Sequence, residues 1–402
     1  MLVRLIAPFL ISRRLKKELE HPTRYTERYG ISDQVRPQGE LIWLHGASVG
    51  ESLSILPLIE KIRAQKPNAC FLITTTTLTA QRVVNARIKE NTIHQFIPFD
   101  AIIWVNKFLD HWQPNAIFFV ESEIWPNILW QAHGRNIPIT LLNARLSETS
   151  LRNWLWIKKI SKKLWGCFSD IYTQSDVFTQ RFQQLGAIYA KTLGNIKLLS
   201  AELPFDENEY NYWKMQIGDR PCWVVASTHQ GEEEQIFKVH QTLKKDFPTL
   251  LTIVAPRHVT RCDDVMGLDP EVTIAKFTSQ KIGNEDILLV DAMAKLGVFY
   301  RLSSIAFIGG SLIPQGGHNP LEPSMIGAFP LWGPYFFNVT DMMYLFEGLP
   351  CQQTDVCHLT NTLKDLLIHP EKVHKLVKEL QQRITNSQMQ IHQKVDEIVA
   401  GI

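Results

Sequence analysis

The stretch FIGGSLIPQGGHNPLE, residues 307–322, decides the fold class of this chain. It begins within a short apolar run, 305–308, that predicts a buried strand, and two glycine pairs then precede a helix. Asn319 is a favoured N-cap, Pro320 suits a first helical position, and Glu322 falls at the capping-box position. A glycine-rich turn before a helix can present backbone N–H groups to a phosphate, or it can simply be a well-capped helix in an α/β domain. Both interpretations stay open at this point.

The same alternation of strand and helix extends outward through the rest of the chain. Other short apolar runs that predict strands lie at 41–44, 70–74, 95–98, 116–120, 138–142, 171–173, 222–226, 250–254 and 287–290. Segments with the apolar periodicity of a helix, or polar turns, separate these runs. This alternation predicts parallel sheets wrapped by helices. Residues 171–173 are predicted to form the last strand of the first half.

The periodicity lapses around Pro204, so we expect a domain boundary between 197 and 205. The predicted organisation is an N-terminal segment, 1–20, and two Rossmann-like domains, 21–200 and 201–402. The last helices of the second domain pack either within that domain or back on the first domain.

The composition indicates a globular protein without a general attraction to nucleic acid. The chain has 402 residues, 45% hydrophobic and 20% charged, and a net charge of +2. Its six cysteines show no CxxC spacing, which favours reduced thiols in a cytosolic compartment.

The N-terminal segment is apolar and basic. Residues 1–12 are mostly apolar but are interrupted by Arg4 and Pro8, and a spanning helix needs about 20 apolar residues. Residues 1–17 contain five basic side chains and no acidic one. This pattern favours a segment that lies on an anionic membrane face, or a helix packed on its own domain.

Polar residues follow predicted strands in both halves of the chain. Ligands of open α/β sheets bind beyond the carboxyl ends of the strands. The strand-end residues are Glu51, Glu121, Arg145, 227–229, Arg257, His258 and 309–322. Their shared placement predicts a polar ligand in a crevice between the two halves.

Each of these residues has a structural and a functional interpretation. Glu51 either stabilises a helix N-terminus or acts as a general base. Glu121 and Glu123 would face one side if the chain stays extended, but no second acidic motif supports a metal pair, so no metal is predicted. Lys197 contacts an anionic donor or is a solvated lysine, whereas Arg257 suits a phosphate.

Seven motifs, in this order, resemble the Kdo transferases, the family 30 glycosyltransferases. The motifs are LHGASVGE (44–51), TTTT (74–77), VESEIWP (120–126), NARLS (143–147), ASTHQGE (226–232), APRH (255–258) and GGSLIPQGGHNPLE (309–322). The resemblance implies an α/β GT-B fold, in which two Rossmann-like domains face a central cleft. It implies an inverting transfer of 3-deoxy-D-manno-octulosonic acid (Kdo) from CMP-Kdo to the lipid A precursor, lipid IVA, in lipopolysaccharide core biosynthesis.

The resemblance also implies a division of roles. The acceptor is expected on the N-terminal domain and CMP-Kdo on the C-terminal one, with no cofactor, no metal and no nucleic acid partner. The expected location is the cytoplasmic side of the inner membrane, with peripheral or N-terminal attachment to the membrane surface. Glu51 matches the family's proton acceptor, and Glu121 and Lys197 match its transition-state stabilisers. The expected CMP contacts are Pro256, Arg257, Met293, Ala294, Lys295, Asn319, Pro320, Leu321 and Glu322.

The sequence departs from the family pattern at one of these contacts. Ala294 and Lys295 stand where the family usually shows a glycine followed by an acid, so a backbone contact survives there and a carboxylate contact does not.

The nearest alternative is another GT-B enzyme that uses a UDP-sugar or epimerises one. A further alternative is a non-catalytic module that binds nucleotide-sugars or lipids.

Overall fold

The computed structural model describes residues 2–199 and 202–401, and these fall into two compact units. The N-terminal unit contains residues 2–199 and 387–401, and the C-terminal unit contains residues 202–386. Each unit has its own parallel β-sheet with helices between the strands, so the predicted α/β class with two doubly wound sheets is confirmed.

The N-terminal unit is built on a seven-stranded sheet with the order β3-β2-β1-β4-β5-β6-β7. Its strands are β1 (Leu41–His45), β2 (Cys70–Thr75), β3 (Thr92–Phe96), β4 (Ala116–Val120), β5 (Ile139–Ala144), β6 (Asp170–Thr173) and β7 (Lys191–Thr192). Its helices are α1 (Leu2–Lys16), α2 (Val49–Gln65), α3 (Leu78–Asn85), α4 (Ile102–Trp112), α5 (Pro126–His133), α6 (Glu148–Trp156), α7 (Lys158–Trp165) and α8 (Asp176–Gln184). Short 3-10 helices occupy Arg24–Tyr29 and Ile196–Leu199.

The core of this unit forms because its central strands are apolar on both faces. Every residue of β1, β2 and β4 is buried, as expected for a parallel sheet covered by helices on both sides. Trp43 lies at the centre, with its ring 4.7 Å from that of Phe108 and 5.6 Å from that of Phe119. Its indole N–H donates to Thr74 Oγ1 at 2.8 Å, so its one polar atom is satisfied inside the core.

The C-terminal unit is built on a six-stranded sheet with the order β10-β11-β9-β8-β12-β13. Its strands are β8 (Cys222–Thr228), β9 (Leu251–Pro256), β10 (Ile274–Lys276), β11 (Ile287–Leu289), β12 (Ile305–Ile308) and β13 (Phe329–Trp332). Its helices are α9 (Glu207–Ile217), α10 (Glu233–Lys244), α11 (Cys262–Met266), α12 (Leu296–Leu302), α13 (Leu321–Ile326), α14 (Val356–Ile368) and α15 (Pro370–Ala400), the last of which continues into residues of the N-terminal unit. Further 3-10 turns lie at Val259–Arg261, Phe277–Ser279 and Thr340–Leu345.

Three strands at the edges of the sheets lie outside the runs from which the sequence predicts strands. β7 has only two residues and pairs with Tyr172 and Thr173, so the prediction that 171–173 is the last strand of this half is wrong. β10 is a three-residue edge strand. β13 is also an edge strand, where Pro330 is tolerated because one side of the strand needs no partner.

The N-terminal helix α1 is 15 residues long, contains Pro8, and ends with the basic residues Arg13, Arg14 and Lys16. Among the residues that the structure describes, no helix combines the length and the apolar character needed to cross a bilayer.

The position of Trp43 predicts a large loss of stability when its side chain is removed. Trp43→Ala leaves a cavity at the centre of the sheet and should lower the free energy of unfolding by about 3–5 kcal/mol, measured by urea denaturation. Trp156→Ala is the matched control, because that indole is 90% exposed, and should change the value by no more than about 0.5 kcal/mol. Equal losses in the two variants would contradict this description of the core.

Candidate active site

The sheet of the N-terminal unit reverses its winding between β1 and β4, which are neighbours although β2 and β3 separate them in the chain. Such a switch point leaves a crevice beyond the carboxyl ends of the two strands. β1 ends at His45 and β4 ends at Val120. The candidate residues Glu51 and Glu121 follow these two strands, so the topology brings them to the same edge of the sheet.

Glu51 is held at the start of α2 by a capping arrangement. Ser48 is the N-cap residue, and its hydroxyl accepts from the Glu51 backbone N–H at 3.3 Å. In return the Glu51 carboxylate accepts from the Ser48 hydroxyl at 2.9 Å and from the Ala47 N–H at 2.8 Å. The side chain is therefore fixed in one orientation beside the positive end of a helix.

The surroundings of Glu51 favour its protonated form. Burial raises the pKa of the Glu51 carboxyl, and although the bonds from Ser48 and Ala47 oppose this, the negative charges of Glu121 and Glu123 raise it further. Glu51 thus combines a fixed orientation with a pKa shifted towards neutral pH. Both properties are those of a general base, so the capping and catalytic interpretations of Glu51 are compatible.

Glu121 is buried and ion-paired with two cations from different parts of the unit. One carboxylate oxygen lies 2.6 Å from Lys197 Nζ, and the other lies 3.1 Å from Arg145 Nε. Lys197 belongs to the 3-10 helix Ile196–Leu199, and Arg145 directly follows β5. The structure therefore brings together Glu121 and Lys197, two of the three predicted catalytic residues, and adds Arg145 to them.

Glu123 does not extend Glu121 into a metal-binding pair. The backbone of Glu121 turns at φ 63°, so the extended arrangement on which a shared face depends does not form. Glu123 instead accepts from the Trp125 indole N–H at 2.9 Å and lies 3.5 Å from His45 Nε2. Within residues 2–199 and 202–401, no group of three or more His, Cys, Asp or Glu side chains is arranged to hold a metal ion.

Asn143 is a positioning residue that the sequence does not reveal. It is fully buried near the end of β5, and its side-chain oxygen accepts from the Ile196 N–H at 3.0 Å. This bond joins the strand to the segment that bears Lys197. The asparagine of the NARLS motif is the only signal for it in the sequence, and the motif does not identify a partner 53 residues away.

In the C-terminal unit, the turn Gly309–Ser311 is occupied by a carboxylate of the protein itself. The Glu232 side chain is buried and accepts from four backbone N–H groups: Gly310 at 2.6 Å, Ser311 at 3.0 Å, Leu312 at 2.9 Å and His229 at 3.0 Å. Of the two interpretations left open for the glycine-rich stretch, the structural one therefore holds for this first glycine pair. A ligand phosphate would have to displace a buried carboxylate that these donors already satisfy.

The helix after the second glycine pair begins one residue later than predicted. α13 starts at Leu321, so Pro320 rather than Asn319 is the N-cap residue. Asn319 nevertheless caps the first turn, because its side-chain oxygen accepts from the Leu321 N–H at 3.1 Å. Its amide also lies 3.4 Å from a Glu322 oxygen, so the side chains rather than the backbone complete the capping arrangement.

Arg257 and Glu322 lie near each other in the C-terminal unit. Burial raises the pKa of the Glu322 carboxyl, while the Asn319 bond and the Arg257 charge oppose that rise. Arg257 is exposed and directly follows Pro256, the buried last residue of β9. An exposed guanidinium beside a carboxyl offers donors for an anion and an acceptor for hydroxyl groups.

Two histidines next to Arg257 form a neutral pair. The Nε2 atoms of His229 and His318 are 2.8 Å apart, and their ring planes differ by 3°. Burial lowers the pKa of His318 to about 4, and the charges of His229, Arg257 and His258 lower it further. Burial also lowers the pKa of His229. His318 lies within residues 307–322, but no pattern in the sequence marks it as a partner of His229.

The Met293–Lys295 turn has a different set of partners. Lys295 Nζ lies 2.7 Å from a Glu209 oxygen of α9 and 5.4 Å from the centre of the Phe277 ring. Ala294 has φ 61°, a left-handed conformation that explains why a glycine suits this position. Because its ammonium group is paired with Glu209, Lys295 can offer a ligand its backbone more readily than its charge.

The order of the two sheets and the likeness to solved structures define the class of the fold. The chain is similar to Alr3699/HepE of Anabaena, solved in complex with UDP, over 90% of this chain and 100% of that one. The TM-score is 0.59 at 14% identity, which shows the fold alone. The fold is of the GT-B class, as predicted.

The family of this chain is shown by proteins that are more similar to it in sequence. Residues 23–200 match the family model of the 3-deoxy-D-manno-octulosonic-acid transferases (kdotransferases). The chain is 33% identical to the 3-deoxy-D-manno-octulosonic acid transferase of Haemophilus influenzae over 344 residues, 81% of this chain and 78% of that protein. It is 36% identical to that of Rickettsia felis over 306 residues, 75% of this chain and 66% of that protein. The chain belongs to the Kdo transferase family, which confirms the resemblance.

The His229–His318 pair predicts a fall in stability at acidic pH. The pKa of His318 is about 4 in the folded chain and about 6.5 in an unfolded one, so the unfolded chain binds more protons between these values. Stability from this group is therefore complete above pH 6.5 and is lost as the pH falls towards 4. In His318→Gln, the urea midpoint should fall less steeply over this window than in the wild type.

The exposed His374 of α15 provides the control for this measurement. His374→Gln should retain the slope of the wild type between pH 6.5 and 4. If His318→Gln also retained that slope, the neutral histidine pair would not be a feature of the folded chain.

Proposed function

We propose that this Kdo transferase moves Kdo from CMP-Kdo to the lipid A precursor with inversion at the anomeric carbon. The observation that carries the proposal is the arrangement at the switch point of the N-terminal unit. There, an oriented carboxylate with a raised pKa, Glu51, lies close to the buried Glu121 and the two cations paired with it, Lys197 and Arg145. Membership of the family supports the choice of Kdo as the transferred group.

Glu51 is proposed to take the proton of the acceptor hydroxyl. As the acceptor oxygen bonds to the anomeric carbon of Kdo, the bond from that carbon to the phosphate oxygen of CMP breaks, and CMP leaves with the electron pair. This displacement needs a base but no covalent enzyme intermediate. A raised pKa makes Glu51 a stronger base, and its fixed orientation removes the cost of ordering the side chain during the reaction.

Glu121 is proposed to act mainly by holding Lys197 and Arg145. A carboxylate that two cations neutralise has little charge left to stabilise a positive sugar ring. The two cations are paired with it at one edge of the sheet, and cations stabilise negative charge that develops in a transition state. Lys197 is the closer partner at 2.6 Å, so its position depends most on Glu121.

The C-terminal unit is proposed to bind CMP-Kdo. Arg257 is suited to the phosphate because it is exposed and forms no ion pair within the described residues. Glu322 and Asn319 are suited to hydroxyl groups of the ribose, and Pro256, Pro320 and Leu321 are proposed to contact CMP beside them. The turn Met293–Lys295 is proposed to contact CMP through its backbone, since the Lys295 ammonium group is already paired.

We also propose that the reaction needs no metal ion, and that it takes place at the cytoplasmic face of the inner membrane. CMP carries a single phosphate, which an arginine can neutralise without a chelated cation. A lipid acceptor requires an enzyme at a membrane surface, and the basic last turn of α1 suits an anionic one.

The role of Glu51 predicts a selective loss of turnover. Glu51→Gln retains the size of the side chain and a carbonyl oxygen for the Ala47 N–H, but it cannot accept a proton. Its kcat for CMP release from CMP-Kdo with lipid IVA should fall about 10²- to 10⁴-fold, with CMP affinity unchanged. Glu148→Gln, in the first turn of α6, should retain the kcat of the wild type. Wild-type turnover in Glu51→Gln would remove the proposed base.

The donor site predicts a nucleotide preference that thermal unfolding can measure. CMP at about 100 times its Kd should stabilise the wild type by about 2.7 kcal/mol, and this stabilisation should be lost in Arg257→Ala. Arg152→Ala, which removes an exposed arginine of α6, should retain it. Equal stabilisation by UDP would instead favour the alternative that the enzyme uses a UDP-sugar.

A further inference from the structure

The junction of α6 and α7 exposes a group of large apolar side chains. Leu155, Trp156, Ile157 and Ile160 are all exposed, and Trp156 has 90% of its surface accessible. We call these four residues, together with Lys158, Lys159, Lys162 and Lys163, the α6–α7 tip. Exposed apolar side chains are ordinary when they are isolated, but four within six residues form a patch that calls for a partner.

The tip is held rigidly from its inner side. Trp154 lies partly buried with its ring 5.6 Å from that of Trp165, and the Trp165 indole N–H donates to Ser161 at 3.0 Å. Leu151 and Leu164 are buried in the same core. Because these inner residues already fill the core, the outer residues of the tip are not needed for folding. Their exposure follows from well-packed helices and not from a loose loop.

The charged side chains of the tip itself are all lysines. Lys158, Lys159, Lys162 and Lys163 are exposed, and none of them forms an ion pair with another of the described residues. The only acidic residue in the segment 148–165 is Glu148, at the far end of α6. It is engaged with Arg152 at 3.7 Å and Arg181 at 3.1 Å, so the lysines are not neutralised.

We propose that the α6–α7 tip docks on the surface of an anionic lipid bilayer. A tryptophan and aliphatic side chains at the end of a helix pair suit the boundary between headgroups and acyl chains, where an amphipathic indole is favoured. Lysines beside them complement anionic headgroups at about 1 kcal/mol each near the surface, which accounts for their number and their lack of partners. A protein partner fits less well, because lysine is depleted in protein interfaces.

The tip provides a second contact in addition to α1. Phe9 of α1 is exposed, and its last turn is basic, so that helix also suits an anionic surface. Membrane attachment through a single weak element is marginal and reversible, so a second element that contacts the bilayer strengthens it. The proposal rests on the proposed function in one respect only, that the acceptor is a membrane lipid.

Vesicle binding of the full chain tests the tip. The double variant Trp156→Ser/Ile160→Ser should sediment at least tenfold less well with vesicles containing 30% phosphatidylglycerol than the wild type does. The control double variant Val35→Ser/Met215→Ser removes two other exposed apolar side chains and should bind like the wild type. Because all four positions are exposed, thermal unfolding should confirm that every variant folds.

The lysines are tested separately with a matched pair. Lys158→Ala/Lys159→Ala should lose about thirtyfold in partitioning onto the anionic vesicles and should respond less to added salt. Lys375→Ala/Lys378→Ala, exposed on α15, should retain the binding and salt response of the wild type. Tip variants that bind as well as their controls would overturn the proposal.

The assay separates failure of docking from failure of the proposed function. Vesicle binding is measured without CMP-Kdo or acceptor, and Glu51→Gln should bind vesicles like the wild type. Transfer to acceptor dispersed in detergent should be unchanged in the tip variants. Tip variants that lose transfer in detergent but keep vesicle binding would place these residues in an acceptor pocket and would contradict docking on the bilayer.

Discussion

Both units depend on one constraint, which is that a buried carboxylate beyond the carboxyl end of a parallel strand must be paired with cations or hydrogen-bond donors. A buried carboxylate is costly unless charges or hydrogen-bond donors compensate it. Glu121 is compensated by Lys197 and Arg145, and Glu232 by four backbone N–H groups. Each pairing fixes several loops at once, because the partners come from different strand ends. What compensates each carboxylate therefore decides whether it serves structure or chemistry.

The two acids nearest Glu121 show how environment separates these roles. Burial favours the neutral form of both Glu51 and Glu123. For Glu123, however, the bond and charge of His45 and the bond from Trp125 outweigh burial, so its pKa is lowered. Glu51 has only the hydroxyl of Ser48 and one backbone N–H, and its pKa is raised. Two neighbouring carboxyls whose pKa values are driven apart are typical of a site in which one exchanges protons and the other remains charged.

The sequence predicted the central strands well, because burial on both faces produces continuous apolar runs. The bounds of β4 and β12 match their predicted ranges, whereas the edge strands β7 and β10 are too short to carry this signal. The edge strand β13 is apolar, but it contains Pro330, which is unfavourable in a central strand. The candidate residues were found as strand-end motifs, but their partners were not. The contact of Glu232 with Gly310 joins residues 78 apart, and no local pattern identifies it. For that reason the sequence alone could not decide between a phosphate site and a structural turn at these glycines.

The local backbone explains why these strand ends hold functional side chains. Asn143 and Ser227 have positive φ values of 54° and 59°, and each lies at a shift in the register of its strand. Conformations of this kind cost about 1–3 kcal/mol each and persist only where the surrounding structure enforces them. Asn143 turns its side chain towards Ile196, which places Lys197 beside Glu121. A Cβ atom at position 309 would lie only 2.5 Å from the carbonyl oxygen of Ser227, so only glycine fits there. Strained backbone is thus held at the strand ends by the contacts around it, and in the N-terminal unit this conformation helps to position the charged groups.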